Sequence, residues 1–209
     1  MEFQFKGANC LTLQTKKAKI VIDDNLKELG VASSQVKADI AIYTSKELIK
    51  NHDHGESFVI EGPGEYEISE VSVKGVAARA HIDEESAHNA TVYRLAVGST
   101  MICIVGHIFP KLSDEQLEQL GMIDILIIPV GGNGYTMDAV GAEKLIKKID
   151  PKIVIPTHYD DKGVNYEVPQ APLDEFIKLM AVTPEKVDKL KFKTDIFPEN
   201  LVVYQLERS

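Results

Sequence analysis

The feature that most constrains the fold of this chain is a change of pattern near residue 110. Before that point the sequence contains short β-type runs and few helix signals. After it, apolar runs that fit strands alternate with segments whose apolar residues recur at helical spacing. Such an order is typical of a mixed α/β protein. Because the chain contains no internal repeat and no linker-like tract, it predicts one α/β domain over residues 1–209.

Ten strands are predicted from the β-type and apolar runs. They are 11–14, 19–22, 39–43, 57–60, 71–76, 91–97, 101–105, 124–130, 152–155 and 201–206. The run at 91–97 alternates in polarity, whereas the run at 101–105 is apolar throughout and is typical of a strand covered on both faces. Gly98-Ser99 between them favours a hairpin turn.

Local signals in the second half predict where helices begin. Ser113 and Gln116 have the spacing of a capping box, and Asp138 is placed to cap a helix that follows the strand at 124–130. A third helix is predicted from Pro172. Thr183-Pro184 predicts the start of a fourth, since threonine suits the cap and proline the first helical position.

Charge and cysteine content limit the partners and the location of the protein. The 23 basic and 32 acidic residues leave a net charge of −9, which repels phosphate backbones and disfavours nucleic acid. Cys10 and Cys103 are too few and too far apart for a disulfide framework. The chain begins without a signal-peptide pattern, and no apolar run approaches the ~18 residues of a membrane span. We therefore expect a cytoplasmic protein that does not contact membranes and has a small molecule or a protein as its partner.

Three of the six histidines stand shortly after predicted strands. They are His81, His107 and His158. Strand ends can aim imidazoles at a shared crevice, and both metal sites and acid–base sites use this arrangement. Each of the three, taken singly, also fits a structural role such as hydrogen bonding to a backbone carbonyl. The other histidines lie in polar, turn-like stretches that predict exposed loops, at His52, His54 and His88.

Two glycine-containing motifs have weaker implications. GPGEY at 62–66 predicts a tight turn between strands. GGNGYT at 131–136, just before Asp138, could present free backbone N–H groups at a helix start, but it lacks the lysine of a P-loop. We interpret it as a site loop in which Asn133 and Tyr135 are candidate substrate contacts.

Four stretches of the chain resemble the metallo-β-lactamase superfamily, in particular its small bacterial and archaeal zinc-dependent hydrolases. They are FVIEGPGEYEI at 58–68, LSDEQL at 112–117, DILIIPVGG at 124–132 and PKIVIPTHY at 151–159. The resemblance covers nearly the whole chain. It implies a four-layer αββα sandwich with mixed sheets and a metal site on the loops at one edge of the two sheets.

The chain departs from this family at its principal metal motif. Where the family has His-x-His-x-Asp-His, this sequence reads TSKELIK at 44–50. Alignment places Ser45, Glu47, Ile49 and Lys50 at the four ligand positions, so only Glu47 could coordinate a metal and Lys50 would oppose one. The usual dinuclear zinc centre is therefore not expected.

The family's later ligand positions all carry histidine in this chain. His81 and His158 match family histidines, and His107 stands where the family has a bridging aspartate. The resemblance therefore leaves open one zinc ion held by three imidazoles, a known catalytic set, which would hydrolyse an ester, an amide or a phosphodiester.

Three hypotheses of function remain after this comparison. The favoured one is a hydrolase-like but non-catalytic or atypical member without a cofactor, whose three histidines form a polar cluster and whose crevice binds a small ligand or a protein partner. The second is the hydrolase with one zinc ion held by His81, His107 and His158. The third is a nucleic-acid processing protein, which the net charge of −9 disfavours.

Overall fold

The computed structural model describes residues 1–31, 38–49, 54–193 and 196–209, and its centre is a pair of mixed β-sheets packed face to face. In chain order the strands are β1 (Glu2–Gly7), β2 (Cys10–Gln14), β3 (Lys19–Ile22), β4 (Ile40–Ile42), β5 (Phe58–Ile60), β6 (Gly64–Ile68), β7 (Val71–Ala78), β8 (Ala90–Val97), β9 (Thr100–Ile104), β10 (Ile125–Pro129), β11 (Ile153–Thr157), β12 (Glu185–Val187), β13 (Leu190–Lys191) and β14 (Val202–Leu206). The helices are α1 (Asp114–Leu120), α2 (Ala139–Ile149) and α3 (Leu173–Met180), and Lys46–Ile49 forms a 3-10 helix.

Both sheets combine antiparallel and parallel pairs. The smaller sheet has the order β13-β1-β2-β3-β4-β5, and only its β3-β4-β5 part is parallel. The larger sheet has the order β12-β14-β11-β10-β9-β8-β7-β6. Its β12-β14-β11-β10-β9 part is parallel, and its β9-β8-β7-β6 part is antiparallel. Every residue of β10 and β11 is buried, as expected for parallel strands covered on both faces. The carboxyl ends of β9, β10 and β11 therefore meet at one edge.

The main core lies between the two sheets and follows from the alternation of the strands. In β1, for example, Phe3 and Phe5 point inward while the residues between them are half-exposed. Tyr93 and Ile104 of the larger sheet pack into the same core. The apolar spacing of the strands thus determines which face of each sheet is buried.

The outer faces of the two sheets are covered differently. On the larger sheet, α2 and α3 bury Leu145 and Phe176 against the strands. On the smaller sheet, the part of the chain that the structure describes covers the outer face with turns and the 3-10 helix, including Leu26, Leu48 and Val164. The predicted fold class, an α/β sandwich of two mixed sheets, is confirmed. Of the four predicted layers, the described residues form both sheets and a helical layer on the larger sheet, whereas turns and the 3-10 helix form the layer on the smaller sheet.

Helix capping follows the sequence signals. Ser113 Oγ accepts from the Gln116 backbone N–H while the Gln116 side chain accepts from the Ser113 backbone N–H, so the predicted capping box is present. Asp138 Oδ1 accepts from the Gly141 backbone N–H at 2.7 Å, and α3 starts directly after Pro172. None of the helices formed by the described residues has the length and apolar character needed to cross a bilayer.

The helix predicted at Thr183-Pro184 is wrong. Glu185–Val187 is a strand, paired in parallel with β14 through Glu185 and Tyr204. Threonine followed by proline suits an extended entry as well as a helix start, and the exposed edge of β14 supplies backbone partners that a local pattern does not reveal. The strand Glu2–Gly7 was not predicted, although Phe3 and Phe5 show the required alternation.

Candidate functional site

Two of the three predicted histidines stand at the carboxyl ends of parallel strands. His107 follows β9 through Gly106, whose φ of +62° suits glycine and whose missing side chain leaves room for Thr44; an added Cβ would lie 2.1 Å from Thr44 Oγ1. His158 follows β11 with a φ of +49°, and its backbone N–H donates to the carbonyl of Ala8 at 2.7 Å. The turn after each strand therefore directs its imidazole to the same edge of the sandwich.

His107 and His158 meet in a compact group of rings, which we call the ring cluster and which also contains Tyr135 and Tyr166. The centroids of the two imidazoles are 5.1 Å apart and their planes are nearly perpendicular, at 88°. Tyr135 lies 5.7 Å from His107 and 5.8 Å from His158, and Tyr166 lies 5.1 Å from His158. His107 is only 7% exposed and His158 only 2%. The fold thus buries two imidazole rings in contact with each other.

His81 stands beside this cluster. Its backbone N–H donates to the carbonyl of His107 at 2.9 Å, and its ring packs against Phe109 with a centroid distance of 5.9 Å. Among the residues that the structure describes, no group of three or more His, Cys, Asp or Glu side chains is arranged to hold a metal ion. His88 is exposed, as predicted, and His54 is half-buried.

A buried carboxylate that the sequence analysis missed lies behind the ring cluster. Asp23 is 0% exposed and accepts at Oδ1 from the Thr44 backbone N–H at 2.7 Å. Its Oδ2 accepts from Thr44 Oγ1 at 2.6 Å and from Asn9 Nδ2 at 2.5 Å. Asn9 Oδ1 in turn accepts from Thr157 Oγ1 at 2.6 Å, which links the smaller sheet to the end of β11. His107 Nδ1 is 3.8 Å from Asp23 Oδ2.

Burial raises the pKa of Asp23 to about 6, although its hydrogen bonds from Thr44 and Asn9 act in the opposite direction. The signal that could have revealed Asp23 is the one used for the histidines. Asp23 directly follows the strand Lys19–Ile22, so it too is a polar residue at the end of an apolar run. Its φ of +45° turns the chain at that point.

The hydrogen bonds of Gln170 determine which ring nitrogen of His158 carries the proton. Gln170 Nε2 donates to the carbonyl of Val168 at 2.8 Å, so Oε1 is the acceptor that faces His158 Nδ1 at 3.1 Å. His158 must therefore carry its proton on Nδ1 and keep a lone pair on Nε2. Burial, with repulsion from His107 as a smaller cause, lowers the pKa of His158 to about 3, so the ring is neutral at pH 7.

His107 is neutral but unsatisfied. Burial, with repulsion from His81 as a smaller cause, lowers its pKa to about 4. Both ring nitrogens are buried and neither has a hydrogen-bond partner within the part of the chain that is described. Buried polar groups are nearly always paired, so His107 is an exception among the described residues.

The ring cluster opens into what we call the edge groove, formed by two adjoining crevices. The first, about 380 Å³ including space open to solvent, is lined by His81 and His107. The second, about 890 Å³ on the same measure, is lined by His158, Tyr166 and Gln170. The two crevices share four residues, Glu47, Leu48, Ile82 and Tyr135. The predicted residues His81, His107, His158 and Tyr135 thus all line one groove.

The segment at 44–49, where the resemblance predicts a departure from the family's metal motif, contributes Ser45, Glu47 and Leu48 to the first crevice. Ser45 Oγ accepts from the Glu47 backbone N–H at 3.4 Å, and both residues line the first crevice. Ile49 packs with the apolar residues outside the smaller sheet. Lys50 and His52 lie outside the described residues. Of positions 45, 47 and 49, only Glu47 carries a side chain that commonly binds zinc.

The two residues of the glycine-rich loop that were predicted to contact a substrate lie in different places. Tyr135 lines both crevices, whereas the side chain of Asn133 donates to the carbonyl of Pro169 and so holds the loop. Gly131 is required by close packing, since an added Cβ would lie 2.1 Å from the carbonyl oxygen of His158. The loop thus supports His158 and places Tyr135 in the groove.

Comparison with known proteins extends these observations. Residues 2–158 match a family model described as the beta-lactamase superfamily domain. A Carboxydothermus hydrogenoformans protein named UPF0173 metal-dependent hydrolase is 31% identical over 107 residues, 51% of this chain and 38% of that protein. A Pyrococcus furiosus protein, also named as a UPF0173 metal-dependent hydrolase, is 26% identical over 141 residues, 66% of this chain and 62% of that protein. Each match thus spans less than two thirds of the curated relative's length.

Solved structures share the fold at lower identity. A Thermotoga maritima protein assigned as a zinc-dependent hydrolase of the metallo-β-lactamase superfamily has a TM-score of 0.75 and 24% identity, with 99% of this chain and 98% of that chain covered. An isothiocyanate hydrolase from Delia radicum gut bacteria has a TM-score of 0.65 and 12% identity, with 92% and 99% covered. At these identities the likeness concerns the fold alone.

Proposed function

Because this chain belongs to the metallo-β-lactamase superfamily, we propose that its edge groove binds a small molecule without the superfamily's usual dinuclear zinc centre. The protein is then an atypical, hydrolase-like member in which the position of the ancestral site is kept and its chemistry is changed. The observation that carries this proposal is His107, a 7% exposed imidazole in the groove whose two nitrogens are both buried and have no hydrogen-bond partner among the described residues.

An unpaired buried polar group costs about 1–3 kcal/mol of stability, so a fold keeps it only where something compensates. A ligand that hydrogen-bonds to His107 supplies that compensation. His158 supports the same interpretation, because its proton is engaged by Gln170 Oε1 and its second nitrogen carries a lone pair. Neutral imidazoles can serve as acceptors for a ligand at pH 7.

The donor set argues against the usual two metals. Catalytic zinc requires at least three protein ligands of the right geometry. In the described residues no group of three His, Cys, Asp or Glu side chains is so arranged, and residues 44–49 offer only Glu47. Asp23, a buried carboxylate 3.8 Å from His107 Nδ1, already accepts three hydrogen bonds from Thr44 and Asn9.

The second candidate function is a hydrolase with one zinc ion held by His81, His107 and His158. The unpartnered nitrogens of His107 and the names of the curated relatives, which are called metal-dependent hydrolases, favour it. Zinc bound there would supply a Lewis acid for hydrolysis of an ester, an amide or a phosphodiester. It requires His81 to adopt an arrangement other than its packing on Phe109.

Elemental analysis separates the two candidates. We expect protein purified without added metal to contain no stoichiometric zinc, and a chelator to leave its melting temperature unchanged. One equivalent of zinc that His107→Ala and His158→Ala both remove, and that His88→Ala retains, would overturn the proposed function. His88 is the matched control because it is exposed and does not line the groove.

A further inference from the structure

The lining of the edge groove specifies the charge of its ligand, and this inference rests on the proposed function above. We propose that the groove binds an organic cation, a primary ammonium group carried on an apolar or aromatic body. Three features of the described residues carry this proposal: the acidic lining, the unpartnered acceptor at His107, and the apolar and aromatic surface between them.

The lining of the groove is acidic. Its charged residues are Glu28, Glu47, Asp83 and Glu167, and the described residues that line the two crevices include no lysine or arginine. Like charges gathered in a partly enclosed crevice produce a negative potential that concentrates cations and repels anions.

Two neighbouring groups, Tyr135 and Arg79, are relevant to the negative electrostatic potential of the groove. Burial chiefly, followed by the negative charges of Glu167, Glu47 and Glu28, raises the pKa of the Tyr135 hydroxyl. Arg79, a cation near Asp83, lies over the Phe109 ring at 4.2 Å and donates to the backbone carbonyl of Asp83. It is not one of the lining residues.

His107 supplies the group that an ammonium would meet. A neutral imidazole has one N–H and one lone pair. Neither nitrogen of His107 has a hydrogen-bond partner among the described residues, so the nitrogen that lacks the proton keeps an unused lone pair. An ammonium group has three donors and no acceptor, so it matches this lone pair and the carboxylates of the lining.

The remaining surface suits the body of such a ligand. Leu48 and Ile82 lie where the two crevices join, and Ile82 is 57% exposed although it is large and apolar. Tyr135 and Tyr166 add aromatic faces, which attract cations through the ring quadrupole. A ligand with a charged head and an apolar body would cover Ile82 while its charge remains among the carboxylates.

Four probes of similar shape and different charge test the inference: benzylamine, benzyltrimethylammonium, benzyl alcohol and benzoate. We expect chemical-shift titrations of the full chain at low salt to place benzylamine in the groove, with an affinity about tenfold above benzyl alcohol and benzoate. The quaternary ammonium should bind more weakly than benzylamine because it cannot donate a hydrogen bond.

Variants test separately the contributions of the acidic lining and of His107 to benzylamine binding. Glu47→Gln with Glu167→Gln should weaken benzylamine several-fold and leave benzyl alcohol unchanged, whereas Glu118→Gln, the same change on α1 outside the groove, should alter neither. His107→Phe should weaken benzylamine and leave the quaternary ammonium unchanged. His107→Gln is the second variant, should the phenylalanine protein fail to fold.

The outcomes separate this inference from the proposed function. Benzyl alcohol or benzoate binding in the groove as tightly as benzylamine would overturn the cation inference and leave the small-molecule site standing. The absence of benzylamine binding at millimolar concentration would also overturn the cation inference. Stoichiometric zinc lost in both His107→Ala and His158→Ala would overturn the proposed function itself.

Discussion

The two sides of the edge groove differ in how far their polar groups are satisfied. On the larger-sheet side, the ends of β9 and β11 present His107 and His158, two neutral imidazoles that keep acceptor capacity. On the smaller-sheet side, Asp23 accepts three hydrogen bonds from Thr44 and Asn9 and has a structural role. Burial alone therefore does not identify a site: Asp23, His107 and His158 are all buried, and of these three only the two histidines keep hydrogen-bonding capacity that no described residue uses.

The largest expected effect is on the smaller-sheet side. Asp23→Ala should lower the free energy of unfolding by about 4–6 kcal/mol, because it leaves the Thr44 N–H and hydroxyl and the Asn9 amide buried without an acceptor. Urea denaturation measures the loss. Asp23→Asn, which keeps an acceptor oxygen, is the control and should lose clearly less. An Asp23→Ala protein of wild-type stability would show that this side is not structural.

Lowering the pH should reduce the free energy of unfolding through His107 and His158 on the larger-sheet side. The folded-state pKa values of His107 and His158 are lowered to about 4 and about 3, so the stability that these rings contribute is lost as pH falls below about 6.5. Asp23 acts oppositely, because its raised pKa of about 6 makes the folded state gain stability as it is protonated. At pH 4 each pKa shift changes the free energy of unfolding by roughly 3 kcal/mol. The two histidine shifts lower it and the Asp23 shift raises it, so the net loss is about 3 kcal/mol.

Urea denaturation of chelator-treated protein between pH 7.5 and pH 4 tests this balance. His158→Gln, which keeps a polar group beside Gln170, should reduce the loss, whereas His88→Gln should not change it. Stability that is constant or rising as the pH is lowered to 4 would contradict the description of both rings as neutral and buried.

The close contact between Gly106 and Thr44, which joins the two sides of the groove, should have the next largest effect on stability. Gly106→Ala combines a φ of +62° with a Cβ 2.1 Å from Thr44 Oγ1, and should lower the free energy of unfolding by about 2–4 kcal/mol. Gly134→Ala is the matched control, since its φ is +79° but nothing lies within 4 Å of the added atom. Equal losses in the two variants would show that the packing against Thr44 contributes nothing beyond backbone strain.

The smallest effect is expected away from both sides. Ser113→Ala removes the acceptor of the α1 capping box and should cost about 1 kcal/mol in thermal or urea unfolding. Because α1 lies on the outer face of the larger sheet, benzylamine affinity should stay unchanged. A change in affinity would mean that the groove responds to general loss of stability, and the groove variants would then need comparison at equal stability.

Much of the fold could be predicted because its signals are local. The capping residues Ser113 and Asp138 were identified from spacing alone, and the apolar runs located the strands that end at His107 and His158. The failure at Thr183-Pro184 has the opposite cause. That segment is a strand because β14 offers an edge to pair with, and an edge is a property of the assembled sheet.

The candidate site could be predicted in part for the same reason. The pattern of a polar residue after a strand pointed to His81, His107 and His158, which all line the edge groove. It did not reveal that His107 and His158 share a ring cluster while the ring of His81 packs on Phe109. Nor did the pattern lead to Asp23, whose partners Asn9 and Thr44 are distant in sequence.

By itself, the sequence determined ten of the strands, the caps of α1 and α2 and the absence of histidine from residues 44–50, since residue identity and spacing act over a few residues. Only the tertiary structure decided which polar groups are paired. Asp23 is satisfied because two loops of the smaller sheet close on it, whereas the same packing buries the nitrogens of His107 without bringing a partner from any residue that the structure describes. Hydrogen bonds between distant segments depend on the geometry of the whole fold, and so does the place left for a ligand.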